Sequence, residues 1–128
     1  MNERQLVGQG LDAIPTPALI VDAEALEHNL KIMHGWFAGR ACRLRPHFKS
    51  HKCVTLARRQ IAAGNTSGIT CAKLSEAEAL ASGGVEDILI ANQVVGREKT
   101  RRLAGRSRIQ VKRLEAAVAS QNMKKPML

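Results

Sequence analysis

The sequence predicts a parallel α/β fold, and three observations lead there. Strand-like apolar runs alternate with helix-patterned segments from residue 18 to residue 103. That alternation is the pattern of a parallel sheet with crossover helices. The run Asp87-Ile88-Leu89-Ile90-Ala91-Asn92 is continuously apolar between its polar ends, as a strand covered on both faces should be. No G-x-G-x-x-G follows any of the strands, so a dinucleotide-binding sheet has no local support. An open doubly wound sheet and part of a (β/α) barrel both satisfy the pattern.

The elements follow in order. Ile14-Pro15-Thr16-Pro17 is stiff and extended, because each proline fixes φ and biases its predecessor away from helix. Ala18-Leu19-Ile20-Val21 reads as a short buried strand. Asp22 is a natural N-cap, with Glu24 favourable in the first turn. Leu26, Leu30, Met33 and Phe37 then recur on one helical face, which places Met33 and Trp36 in the core and makes His28 and His34 exposed or packing residues. Cys42 to Lys49 is the second strand. Residues 53–63 form a helix with Val54, Ala57 and Ile61 on one face and Gly64 at its cap. Gly68 to Lys73 is the third strand. Ser75 and Glu78 spell a capping box opening a helix that stops at Gly83-Gly84. Asp87 to Asn92 is the fourth strand, and Arg97 to Leu103 begins another helix. Arg108-Ile109-Gln110-Val111 is expected to start a strand and Leu114 to Ala119 a helix. Gln121 to Leu128 is polar, basic and expected to be poorly ordered.

With 128 residues, one domain is the default. Aromatics make up only 2 % of the chain, so the core must be built from Leu, Ile, Val and Ala. The net charge of +9 suggests a nucleic-acid ligand until it is located. Residues 1–96 carry 10 Lys+Arg against 9 Asp+Glu, whereas residues 97–128 carry 10 against 2. The basicity belongs to the tail. That tail offers no aromatic for base stacking and no nucleic-acid-binding pattern, so an anion- or nucleic-acid-binding module is the weakest reading. Three cysteines without a CxxC pair argue for a reduced, cytoplasmic setting. No apolar leader opens the chain, and no stretch approaches the roughly 18 apolar residues of a membrane span.

The chemistry concentrates at Leu44-Arg45-Pro46-His47-Phe48-Lys49-Ser50-His51-Lys52. If this run is extended, Arg45, His47 and Lys49 share one face. Sites in parallel α/β folds form at the carboxyl ends of strands. Lys49 sits at such an end, and Lys73 and Asn92 sit at the next two. A Schiff base needs a neutral amine, and an unperturbed lysine, with a pKa of about 10.4, is neutral in about one molecule per few thousand at neutral pH. Burial and neighbouring cations such as Arg45, Lys52 or protonated His47 would lower that pKa. The aldehyde would be that of pyridoxal phosphate, whose ring is an electron sink. Set against this, a lysine in a basic run is a solvated charge in most proteins. His47, His51 and Cys53 lack the second ligand cluster of a zinc site.

Four blocks carry a resemblance: Pro15 to Asp22, Arg45 to Lys52, Cys71 to Glu78, and Ile88 to Gly96. In this order and spacing the chain resembles the N-terminal part of the D-threonine aldolase and D-serine dehydratase family. These are alanine-racemase-like, fold-type III pyridoxal phosphate enzymes. The resemblance runs from about residue 14 to about residue 105. It implies that Lys49 forms the Schiff base; strand parity and the strand ends then put His47, Lys73 and Asn92 in the cofactor's surroundings. It implies a (β/α)8 barrel with a separate C-terminal β domain, and a divalent metal, manganese or zinc, whose ligands are not in this chain. The substrate would be a β-hydroxy D-amino acid, and full-length relatives would be homodimers. A non-catalytic pyridoxal phosphate-binding protein of cofactor homeostasis and an amino-acid racemase use the same barrel type.

A complete barrel needs roughly 200 to 250 residues. The expectation is therefore an incomplete barrel of about the first three or four βα units over residues 1–105, and a divergent basic tail over 106–128. A truncated or frame-disrupted gene product, or a fragment, would explain this, and the chain alone is expected to be inactive.

Overall fold

The computed structural model describes residues 6–106 and 113–117. The fold is α/β. Helix α1 spans Ala23–Trp36, α2 Val54–Ala62, α3 Leu74–Ser82 and α4 Arg97–Arg106. Strand β1 spans Ile69–Cys71, β2 Asp87–Gln93 and β3 Arg113–Ala117. The strands form one parallel sheet in the order β1-β2-β3. The segment before β1 adds a partial fourth row, through parallel bridges Leu44↔Thr66 and His47↔Thr70.

The core lies where β1 and β2 pack against α3. Ile69, Cys71, Leu80, Ile88 and Ile90 are almost wholly removed from water, and Ala57 and Phe48 join them from the preceding elements. All three residues of β1 are buried, as expected of a strand covered on both faces. Gly68 enters this strand at φ +132°, and a Cβ there would lie 2.5 Å from the Asp87 carbonyl oxygen. Glycine alone allows that approach.

Helix α1 begins as its sequence suggests, with Asp22 accepting from the Ala25 N–H at 2.8 Å. Its inward face differs. Leu30 and His34 are the buried residues, while Met33 and Trp36 are more than half exposed. The reason is polar: His34 Nδ1 donates to the Gly64 carbonyl at 2.6 Å, and Asn65 Nδ2 donates to the His34 carbonyl at 3.0 Å. These bonds tie α1 to the loop after α2 and rotate Met33 outward. Trp36 is instead covered by the Arg40 guanidinium, 3.8 Å from the ring centroid.

Four further expectations are corrected. Residues 18–21 form no strand, and Leu19, Ile20 and Val21 are exposed. A strand needs a ladder partner, and among the described residues none pairs with this run. The strand expected over Cys42–Lys49 ends at His47, and Phe48–Ser50 is a 3-10 turn. The helix over Leu74–Ser82 is closed by Glu76, not by Ser75 and Glu78. The Glu76 carboxylate accepts from the Ala72 N–H at 2.9 Å and the Lys73 N–H at 3.3 Å, because the helix begins just after Lys73. Residues 114–117, expected to open a helix, belong to β3. The open edge of β2 supplies a ladder that overrides their helical propensity. This ladder crosses the boundary expected at residue 105. Residues 108–111, 118–119 and 121–128, for which a strand, a helix end and poor order were expected, lie outside the described residues.

Candidate active site

The parallel ladder carries the candidate residues to one edge. Pro46 has no N–H to donate, but its carbonyl accepts from the Thr70 N–H at 2.8 Å. That bond sets His47 beside Thr70. Lys49 follows just past the carboxyl end of this row, as Lys73 does past β1, and Asn92 lies in the last residues of β2.

Lys49 lies in the 3-10 turn Phe48–Ser50. Phe48 is buried, and Lys49 is exposed. Local hydrogen bonds hold the turn. His47 Nδ1 accepts from the Lys49 N–H at 3.2 Å, and Ser50 Oγ donates to the His47 carbonyl at 3.0 Å. The Lys52 N–H reaches the Phe48 carbonyl at 2.8 Å, and Lys52 itself adopts φ +50°. His51 Nδ1 accepts from the Cys53 N–H at 3.1 Å, where α2 begins. The other ring nitrogen of His51 lies 3.3 Å from Gln60 Oε1, and its ring meets Phe48 edge-on.

Arg45 does not share a face with Lys49 by strand parity, since the chain turns at Phe48. Its Nη1 donates to Asp87 Oδ1 at 2.7 Å and its Nη2 to the Ser67 carbonyl at 3.0 Å. Asp87 opens β2, so this half-buried ion pair ties the amino ends of the strands together.

Lys73 and Asn92 do come together. With Ser75, Lys99 and Arg102 they line a pocket of about 500 Å³ at the carboxyl ends of β1 and β2. Lys49 is not among its lining residues. Asn92 Oδ1 accepts from the Gln93 N–H at 2.9 Å, where the pairing of β2 with β3 slips register. Sequence reasoning missed Lys99 and Arg102. The Glu98–Arg102 spacing of four residues is a visible signal on a helix. The second partner of Arg102, Glu78 of α3, is visible only in three dimensions. These two carboxylates, Glu78 first, raise the Arg102 pKa above its ordinary value.

Cys71, on β1 behind this edge, is buried. Burial pushes its thiol up to about 12, and the Glu76 charge adds to the effect. Among the described residues no group of three His, Cys, Asp or Glu side chains is placed to hold a metal ion. Nor is any helix among them long and apolar enough to cross a membrane.

Residues 21–126 match the family model described as alanine racemase, N-terminal domain. The chain belongs to that family. The family's domain is of the TIM-barrel type, which agrees with the parallel strands and intervening helices seen here. The chain is 41 % identical over 102 residues to D-threonine aldolase of Arthrobacter sp., covering 80 % of this chain and 27 % of that protein. It is 41 % identical over 99 residues to 3-hydroxy-D-aspartate aldolase of Paracoccus denitrificans, covering 77 % and 26 %. The crystal structure of D-threonine aldolase from Filomicrobium marinum superposes with a TM-score of 0.77 at 44 % identity, over 84 % of this chain and 28 % of that one. D-threo-3-hydroxyaspartate dehydratase from Delftia sp. HT23 gives 0.68 at 35 %, over 79 % and 26 %. This member of the alanine racemase N-terminal domain family thus spans about a quarter of the length of the relatives it matches.

Proposed function

We propose that this chain is the N-terminal portion of a pyridoxal phosphate-dependent lyase acting on β-hydroxy D-amino acids, of the D-threonine aldolase or D-serine dehydratase type. Lys49 is its Schiff-base lysine. The observation that carries the reading is the placement of Lys49: an exposed amine on a hydrogen-bonded turn at the carboxyl edge of a parallel sheet, inside a family match shared with aldolases and a dehydratase. The surroundings fit an aldehyde cofactor. Among the described residues the Lys49 side chain enters no ion pair, which leaves it sterically open to an incoming aldehyde.

When bound, the cofactor supplies an electron sink for the carbanion left by bond cleavage next to the amino-bearing carbon. Lys49 supplies the amine that attaches it. His47 accepts the lysine's own main-chain N–H and so fixes the backbone that carries it. Lys73 and Asn92 line the mouth beyond the next two strands. The chain contributes the opening βα units of an incomplete (β/α)8 barrel. The divalent metal, manganese or zinc, would be held by residues in the remaining length of the relatives. The whole enzyme would be a cytoplasmic homodimer, and the 128-residue chain alone is inactive.

The test is a chimaera in which residues 14–105 replace the matching segment of the Arthrobacter D-threonine aldolase. The chimaera should cleave D-threonine, and Lys49→Ala should abolish cleavage. Cleavage that survives Lys49→Ala would refute the assignment. Cofactor binding without cleavage of D-threonine or D-serine would favour the non-catalytic pyridoxal phosphate-binding reading.

A further inference from the structure

We propose that His47 and His51 are paired positioning residues, which clamp the backbone on both sides of Lys49 through their Nδ1 atoms. This rests on the reading of Lys49 as the amine of the site. The geometry is specific. The Lys49 N–H points at His47 Nδ1 and the Cys53 N–H at His51 Nδ1. A nitrogen that accepts a hydrogen bond carries no hydrogen, so each ring holds its hydrogen on Nε2. In His51 that hydrogen points at Gln60 Oε1 of α2, and the ring face is fixed by Phe48. Both side-chain acceptors of this turn are therefore imidazoles in one tautomer.

His34 is the internal contrast. Its Nδ1 faces the Gly64 carbonyl, which can only accept, so Nδ1 carries the hydrogen. One molecule thus holds histidines of both tautomers, and the two of the acceptor kind flank the one lysine of the turn.

A purely charge-based role for the pair would not need this arrangement. Protonating Nδ1 of either ring would cancel its hydrogen bond to the backbone. A clamp needs the acceptor nitrogen and little else, and an asparagine at position 51 can supply it with Oδ1. Lys52 shows what the clamp opposes. It sits at φ +50°, a conformation that residues other than Gly, Asn and Asp seldom adopt, and one held only by surrounding bonds.

Two measurements on the full chain test the proposal. Long-range proton–nitrogen correlation spectra at mildly alkaline pH should show the Nε2–H tautomer for His47 and His51 and the Nδ1–H tautomer for His34. An Nδ1–H tautomer at His51 would overturn the clamp even if no variant folds. The second measurement is trapping with pyridoxal phosphate and borohydride, read as labelling of Lys49 relative to Lys73 in the same sample. His51→Ala should lower that ratio about five-fold, the scale of one net hydrogen bond. His51→Asn should keep it within about two-fold, since its oxygen replaces the acceptor. Equal ratios in both variants, or equal losses, would overturn the proposal. Absence of Lys49 label in the unaltered chain would instead defeat the lyase reading and leave the tautomers to judge the clamp.

Discussion

Ala18-Leu19-Ile20-Val21 and Ile69-Thr70-Cys71 look alike on paper, and their fates are opposite. Leu19 is 100 % exposed, and Ile69 is 0 % exposed. The difference is pairing. Ile69, Thr70 and Cys71 are in register with Ile88, Leu89 and Ile90, and α3 covers them. The N-terminal run has a cap on one side and no ladder partner among the described residues. An apolar run therefore predicts a strand only when something is available to pair with it. The paired region holds the packed core, and Lys73 and Asn92 line the pocket at its carboxyl edge.

Substitutions can break that contrast, in falling order of effect. Leu80→Ala, in the layer over β1 and β2, should cost about 2–5 kcal/mol in chemical denaturation, the range for a large-to-small change in a packed core. A smaller loss would mean that the sheet core is not the stabilising unit. Gly68→Ala should cost about 1–3 kcal/mol, because it adds a Cβ at positive φ against the Asp87 carbonyl. A neutral result would show that the strand entry is loose.

The cysteines probe the same contrast chemically. Cys42 is exposed and Cys71 is buried, so alkylation in the folded protein should modify Cys42 and spare Cys71 until unfolding. The raised Cys71 pKa has a linked effect on stability. Between about 9, the ordinary value, and about 12, the unfolded chain loses this proton and the folded chain keeps it. The stability contributed by Cys71 is full below that window and falls as pH rises through it. Cys71→Ala should remove that slope. Last and smallest, Leu19→Ser should change stability by no more than about 0.5 kcal/mol, as for an exposed site. A larger loss would mean that the N-terminal run is packed after all.

Much of the fold was legible because its cues are local. The continuous apolar run at Ile88–Ile90, the cap at Asp22 and the glycine after α2 all act within a few residues. What escaped was decided by distant partners. Met33 lost its core place to His34 because of hydrogen bonds to residues 64 and 65. Residues 114–117 became a strand because β2 offered an edge. In the candidate site, the positions of Lys49, Lys73 and Asn92 near strand ends were legible. The turn around Lys49 was not, because its bonds come from imidazole nitrogens whose direction no spacing rule predicts. The pairing of Arg45 with Asp87, 42 positions away, was equally hidden.

The central claim is that Lys49, and not the pocket-lining Lys73, attaches the cofactor. Borohydride reduction after incubation with pyridoxal phosphate, followed by peptide mapping, tests it most directly. Most of the label should fall on Lys49, drop to the minor Lys73 level in Lys49→Arg and persist in Lys73→Arg. A label that resides mainly on Lys73, or that survives Lys49→Arg undiminished, would contradict the account.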